Sequence, residues 1–182
     1  MRCVLKPDAI SARALQLPKL LKPLLPKGQS LQCWPQSTGQ FILLSPYLGP
    51  MPSETGIEGH KFATTVPRIR AAYQERWQAT DFERKSYAME RAYLHIYERL
   101  SNGVEEQIVA LHCDPNESQT AKHYKYKAGP HIHMMTARDP LPHAHIGLNN
   151  SELEMVLKSA ENLTVAIRSA IAMVQTQILG LY

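Results

Sequence analysis

Two His-x-His pairs, His131/His133 and His143/His145, stand twelve residues apart in the stretch GPHIHMMTARDPLPHAHIGL. Neutral imidazole is a ligand for zinc, copper, iron and nickel, and it is also the side chain best suited to acid/base work near neutral pH. Each pair sits in a short run of alternating apolar residues, which predicts a strand. Successive side chains of a strand point to opposite faces, so His131 and His133 share one face, with Ile132 and Met134 on the other. His143 and His145 likewise oppose Ala144 and Ile146.

The intervening break, Thr136 to Pro140, suits a hairpin loop built on Arg-Asp-Pro. A loop of odd length pairs odd positions with odd ones, and the register 133 to 143 then sets 131 opposite 145. Directly opposed residues lie about 4.5–5.5 Å apart at Cβ, so four imidazoles crowd one patch of the sheet. A loop of even length would send the two pairs to opposite faces. With the odd loop, His131, His133, His143 and His145 are the candidate metal ligands and the candidate catalytic residues. Three of them around a divalent ion with one open position make a catalytic metal site. His112 and Asp114, on the preceding predicted strand, are candidate further ligands or outer partners. Without a metal, one histidine acts as base and another as acid on a phosphoester or acyl group. The third reading is structural or interface histidines.

Just upstream, in KHYKYKAGP, Lys122, Tyr124, Lys125 and Lys127 are the candidate substrate-binding residues. The lysines would bring positive charge to the pocket, and Tyr124 and Tyr126 offer faces for stacking a base. The same interleave also protects an edge strand. Cys113 and His112 are neighbours on a strand and point apart, which argues against a thiol–imidazole pair. There is no Gly-rich phosphate loop, no Ser nucleophile elbow and no His-Glu-x-x-His.

The chain has 182 residues, 44% hydrophobic and 20% charged, as expected of one globular domain with a real core. No apolar window approaches the roughly eighteen residues of a membrane span, and the first residues lack the pattern of a secretory signal. Three scattered cysteines, Cys3, Cys33 and Cys113, do not build a disulfide framework and suggest a reducing, cytoplasmic setting. A net charge of +4 permits a phosphate-bearing partner without requiring one.

Residues 1–30, with Pro7, Pro18, Pro23 and Pro26 among leucines and lysines, predict an irregular or extended arm. Its Leu17, Leu20, Leu21, Leu24 and Leu25 would pack on the domain. Residues 31–150 read as mixed strands and helices. Leu31–Gln36 and Gln40–Leu44 predict a hairpin about Ser-Thr-Gly, and Pro46–Thr55 a loop. Pro67 to Gln78 reads as a helix. A second helix follows from the capping-box spacing Thr80-Asp81-Phe82-Glu83, with a stripe of Phe82, Met89, Tyr93, Ile96 and Leu100. Arg68, Arg70, Arg76, Arg84, Lys85, Arg91 and Arg99 would decorate this helix pair, as solvated faces or as a nucleic-acid surface. Glu106 to Asp114 predicts a strand. From Ser151 a C-terminal helix would run over 151–179, capped by Ser151 and Glu154, striped by Leu153, Val156, Leu157, Ala160, Leu163, Ile167, Ala170, Ile171, Val174 and Ile178, and stopped by Gly180.

The expected fold is α+β in a single domain: an antiparallel sheet of about five strands, a long C-terminal helix on one face, and a central helix pair beside it. The expected function is a histidine-centred, metal-dependent hydrolase of a phosphoester or nucleotide-like substrate, with zinc or manganese as cofactor. The alternative is a non-catalytic subunit or binding module, a homodimer or part of a complex, that docks a protein partner and contacts nucleic acid. Neither reading involves a membrane.

Overall fold

The computed structural model describes residues 3–49, 60–113, 131–134, 144–147 and 159–180. They form an antiparallel sheet of nine strands and two helices. In chain order these are β1 (Val4–Leu5), α1 (Pro7–Leu21), β2 (Gln36–Thr38), β3 (Phe41–Leu44), β4 (Phe62–Ala63), β5 (Ile69–Ala79), β6 (Tyr87–Arg99), β7 (Glu105–Cys113), β8 (His131–Met134), β9 (Ala144–Gly147) and α2 (Ala160–Met173). The sheet runs β2-β3-β5-β6-β7-β8-β9, with β1 beside β6 and β4 beside β5. Among the described residues no helix is long and apolar enough to cross a membrane.

This overturns the five-stranded sheet with a central helix pair. Residues 67–100, expected as two helices, hold the two longest strands, β5 and β6. The reason is a bulge. Arg76 pairs with Arg91 and the next residue, Trp77, pairs with Met89, so Glu90 is the extra residue of β6. An extra residue inverts the alternation of a strand. Met89 faces the core before the bulge, and Ala92, Leu94 and Ile96 face it after. The inward positions 89, 92 and 96 therefore fall at steps of three and four, the spacing of a helical stripe. Phe82, placed in that stripe, is instead 95% exposed in the β5–β6 turn. Thr80 and Asp81 do not cap a helix. The Thr80 amide donates to the Ser86 carbonyl at 3.0 Å, and the Lys85 amide donates to Asp81 Oδ1 at 3.0 Å, closing the turn.

The N-terminal segment is likewise not an extended arm. Pro7 occupies the first turn of α1, where no amide donor is needed. Pro18 lies within the helix, where it removes one backbone hydrogen bond. Ile10, Arg13, Ala14, Leu17, Leu20 and Leu21 are buried at three- and four-residue steps, and tertiary packing outweighs the proline. The expected burial of Leu17, Leu20, Leu21, Leu24 and Leu25 holds.

The C-terminal helix is shorter than expected. Ser159, not Ser151, is its N-cap, its hydroxyl accepting from the Asn162 amide at 3.1 Å. Residues 151–158, with Leu153, Val156 and Leu157, lie outside the described residues. The helix passes at Val174–Ile178 into a π-helical turn, and Gly180, at φ 64°, ends it. The β2–β3 hairpin forms, turning at Gly39 (φ 61°), with Gln36–Thr38 rather than Leu31–Gln36 as its first strand.

One face of the sheet carries the apolar core. Tyr73 and Trp77 of β5, Leu94 and Ile96 of β6, Leu111 and Cys113 of β7 and Ile132 of β8 pack there with Leu17 and Leu21 of α1 and Leu163 and Ile167 of α2. The opposite face of β6, β7 and β8 carries the histidines.

Candidate metal centre

Three adjacent strands supply the site. Tyr93, His95 and Tyr97 follow the Glu90 bulge at every second position of β6. In the register Tyr93 stands opposite His112, His112 opposite His131, and Ala110 between His95 and His133. The methyl of Ala110 leaves room for the imidazoles to meet above it. His131 is fully buried, and His95 and His133 are each 8% exposed.

The rings are in contact. His131 and His133 approach Nε2 to Nε2 at 2.8 Å, as do His95 and His112. The His112 and His133 centroids are 4.0 Å apart, and Tyr93 stacks on His112 at 4.1 Å. His95 Nδ1 lies 2.9 Å from the Tyr97 hydroxyl. Two ring nitrogens at such a distance share one proton, one nitrogen donating and the other accepting.

His112, His131 and His133 can each offer one nitrogen such that all three atoms lie within 4.8 Å of one another. Around a tetrahedral zinc with bonds of about 2.0–2.1 Å, ligand nitrogens stand about 3.3 Å apart. The 2.8 Å pair of His131 and His133 needs to open slightly, and the wider pairs to close, to reach that geometry. Such changes lie within side-chain rotation.

Of the residues singled out in the sequence, His131 and His133 meet as expected, with Ile132 turned to the core. His112 joins them from β7 and points away from Cys113 as expected, since Val109, Leu111 and Cys113 lie in the apolar core. Ile108, the extra residue where Ile96 pairs with Val109 and Tyr97 with Gln107, packs against that core as well. The β8–β9 hairpin pairs odd positions with odd, but two residues out of the expected register. His145 stands opposite His133, and Gly147 rather than His145 stands opposite His131. His143, Asp114, Lys122, Tyr124, Lys125, Lys127 and the Thr136–Pro140 loop lie outside the described residues. Sequence reasoning missed Tyr93, His95 and Tyr97. Their signal is the alternation Tyr-x-His-x-Tyr, hidden by the three- and four-residue spacing of Met89, Tyr93 and Ile96.

Two cations flank the imidazoles. The Lys61 ammonium lies 4.1 Å from the centre of the Tyr97 ring and pairs with Glu105 at 3.1 Å. The Arg91 guanidinium carbon lies 5.3 Å from the centre of the Tyr93 ring. Arg68, Arg70, Arg76 and Arg91 are carried by strands β5 and β6 and the turn before β5, not by helices. Arg76 pairs with Glu90 at 2.8 Å and Arg70 with Glu105 at 3.7 Å.

A second polar cluster lies on the core face. Arg13 of α1 pairs with Glu75 of β5 at 2.7 Å, with 2% and 0% of their side chains exposed. Glu75 also accepts from the Tyr73 hydroxyl at 2.6 Å and from Trp77 Nε1 at 3.0 Å, while Arg13 donates to Thr164 of α2. Burial works against the Arg13 charge, but Glu75 and Tyr73 outweigh it and raise the guanidinium further. Burial, then the Glu75 charge, pushes the Cys3 thiol up to about 11 and Cys33 up to about 12. The same two causes raise Tyr73 well above the ordinary phenol range. This cluster ties two helices to the sheet with its charges paired, which suits architecture rather than turnover.

Comparison with protein-family models, with curated proteins and with solved structures found no match.

Proposed function

We propose that the imidazole face holds a zinc ion and that the chain is a zinc-dependent hydrolase of phosphoesters. The observation that carries this reading is the convergence of His112, His131 and His133 from adjacent strands within 4.8 Å. An all-imidazole donor set favours zinc over manganese, which prefers oxygen ligands. His145, placed opposite His133 by the register, is the candidate fourth ligand or outer partner.

Three protein ligands and an open position are what a catalytic zinc needs, and the ion supplies hydroxide at neutral pH by lowering the pKa of bound water. With zinc held there, bound water would give up a proton and its oxygen would bond to phosphorus, the phosphorus–oxygen bond to the leaving group would break, and the leaving oxygen would take up the proton that the water gave up. Arg91 over the Tyr93 ring, and Lys122, Lys125 and Lys127 by their sequence position, favour an anionic substrate. Tyr124 would stack on a nucleobase.

The test is release of p-nitrophenol from bis(p-nitrophenyl) phosphate by untagged protein after zinc loading. Turnover that disappears on chelation and in His133→Ala, with folding confirmed by circular dichroism, supports the reading. A rate no higher than zinc alone refutes it.

A further inference from the structure

A hydrogen-bonded chain leads away from the His112, His131 and His133 triad through a residue outside it. His95 places Nε2 at 2.8 Å from His112 Nε2 and Nδ1 at 2.9 Å from the Tyr97 hydroxyl. Both nitrogens of His95 are thus engaged along one line. His95 and Tyr97 are both buried, and they are fixed two residues apart on β6.

That chain has two proton orders. In one, the Tyr97 hydroxyl donates to His95 Nδ1, His95 Nε2–H donates to His112 Nε2, and His112 keeps its proton on Nδ1. In the other, His112 Nε2–H donates to His95 Nε2 and His95 Nδ1–H donates to the Tyr97 oxygen. Each ring carries one proton in both orders. Only the second leaves His112 Nδ1 with a lone pair for a metal.

We propose that His95 and Tyr97 form a positioning pair that fixes the ring and tautomer of His112 for zinc binding through Nδ1. The proposal rests on the zinc reading above and extends it to residues outside the ligand set. A ligating histidine whose second nitrogen is held by a hydrogen-bond partner is oriented and made more basic, and losing such a partner typically costs 10–100-fold in metal affinity. His95 does this for His112, and Tyr97 does it for His95.

The experiment measures zinc affinity by competition with a chromophoric chelator, and the visible spectrum of the cobalt(II)-loaded protein, for wild type and three variants. His95→Ala is expected to weaken zinc about 10–100-fold and to alter the cobalt spectrum. His95→Gln, which can still bond to His112, is expected to recover most of the affinity. Tyr97→Phe removes a single oxygen and is expected to weaken zinc measurably with the fold intact. It also decides the matter should His95→Ala not fold. In histidine-labelled protein the 15N shift of His112 Nδ1 is expected to move on zinc binding, and Nε2 to keep its proton. Zinc affinity within about twofold of wild type in both His95→Ala and Tyr97→Phe overturns the proposal. So does His112 bound through Nε2. Wild type that binds no zinc removes the hydrolase reading together with this one, whereas wild-type binding that the variants leave unchanged removes this one alone.

Discussion

His131 and His133, two residues apart on β8, bring their Nε2 atoms to 2.8 Å. Neighbours along one face of a strand stand well apart at their backbones, so the rings lean together rather than lie parallel. A zinc ion between imidazoles that already converge stabilises the folded chain by mass action, about 2.7 kcal/mol at a hundredfold excess over Kd. For a chain of this size that is a rise in Tm of very roughly 5–10 °C. The rise is expected in wild type and not in His133→Ala, read by differential scanning fluorimetry. An equal rise in both would place the zinc elsewhere.

Glu75 is fully enclosed, and its carboxylate accepts from Arg13, Tyr73 and Trp77. Removing one partner of a buried pair is costly because the other charge remains. Arg13→Met or Glu75→Leu alone is expected to lose about 3–5 kcal/mol, and the double change to recover much of it. Urea unfolding of the three variants checks this. Additive losses would show that the pair is not coupled.

The thiols set an alkaline limit. Cys3 and Cys33 stay protonated in the folded chain up to about 11 and about 12, against 9.0 for a free thiol. The unfolded chain therefore binds fewer protons above pH 9, and stability falls as pH rises. The contribution is whole below pH 9 and drains away toward pH 11–12. Urea midpoints are expected to drop between pH 8.5 and about 10.5. The drop should be shallower in Cys33→Ala. A midpoint that rises over this range contradicts the assignment.

Much of the site was legible because β8 and the Val109–Cys113 half of β7 keep strict alternation, which turned His112 away from Cys113 and put His131 and His133 together on one face. The fold was less legible where strands are buried on both faces. In β6 the Glu90 bulge turned inward positions into a helical spacing, and it hid Tyr93, His95 and Tyr97 along with it. In α1 the prolines argued for irregularity, but Pro7 sits where a helix tolerates it and packing carries Pro18. The hairpin register could not be read to the residue, because parity depends only on whether the loop is odd and leaves shifts of two open.

Trp77 is fully buried and Phe82 exposed. Trp77→Ala is expected to cost about 3–5 kcal/mol, and Phe82→Ala to stay within about 0.5 kcal/mol of wild type. Comparable losses by urea denaturation would restore the helical stripe.

The measurement that bears most directly on the account is the zinc content of untagged protein after zinc loading and dialysis, beside His133→Ala treated identically. About one zinc per chain is expected in wild type and a small fraction of that in the variant. Less than about 0.1 zinc per chain in wild type, or the same content in both, would contradict it.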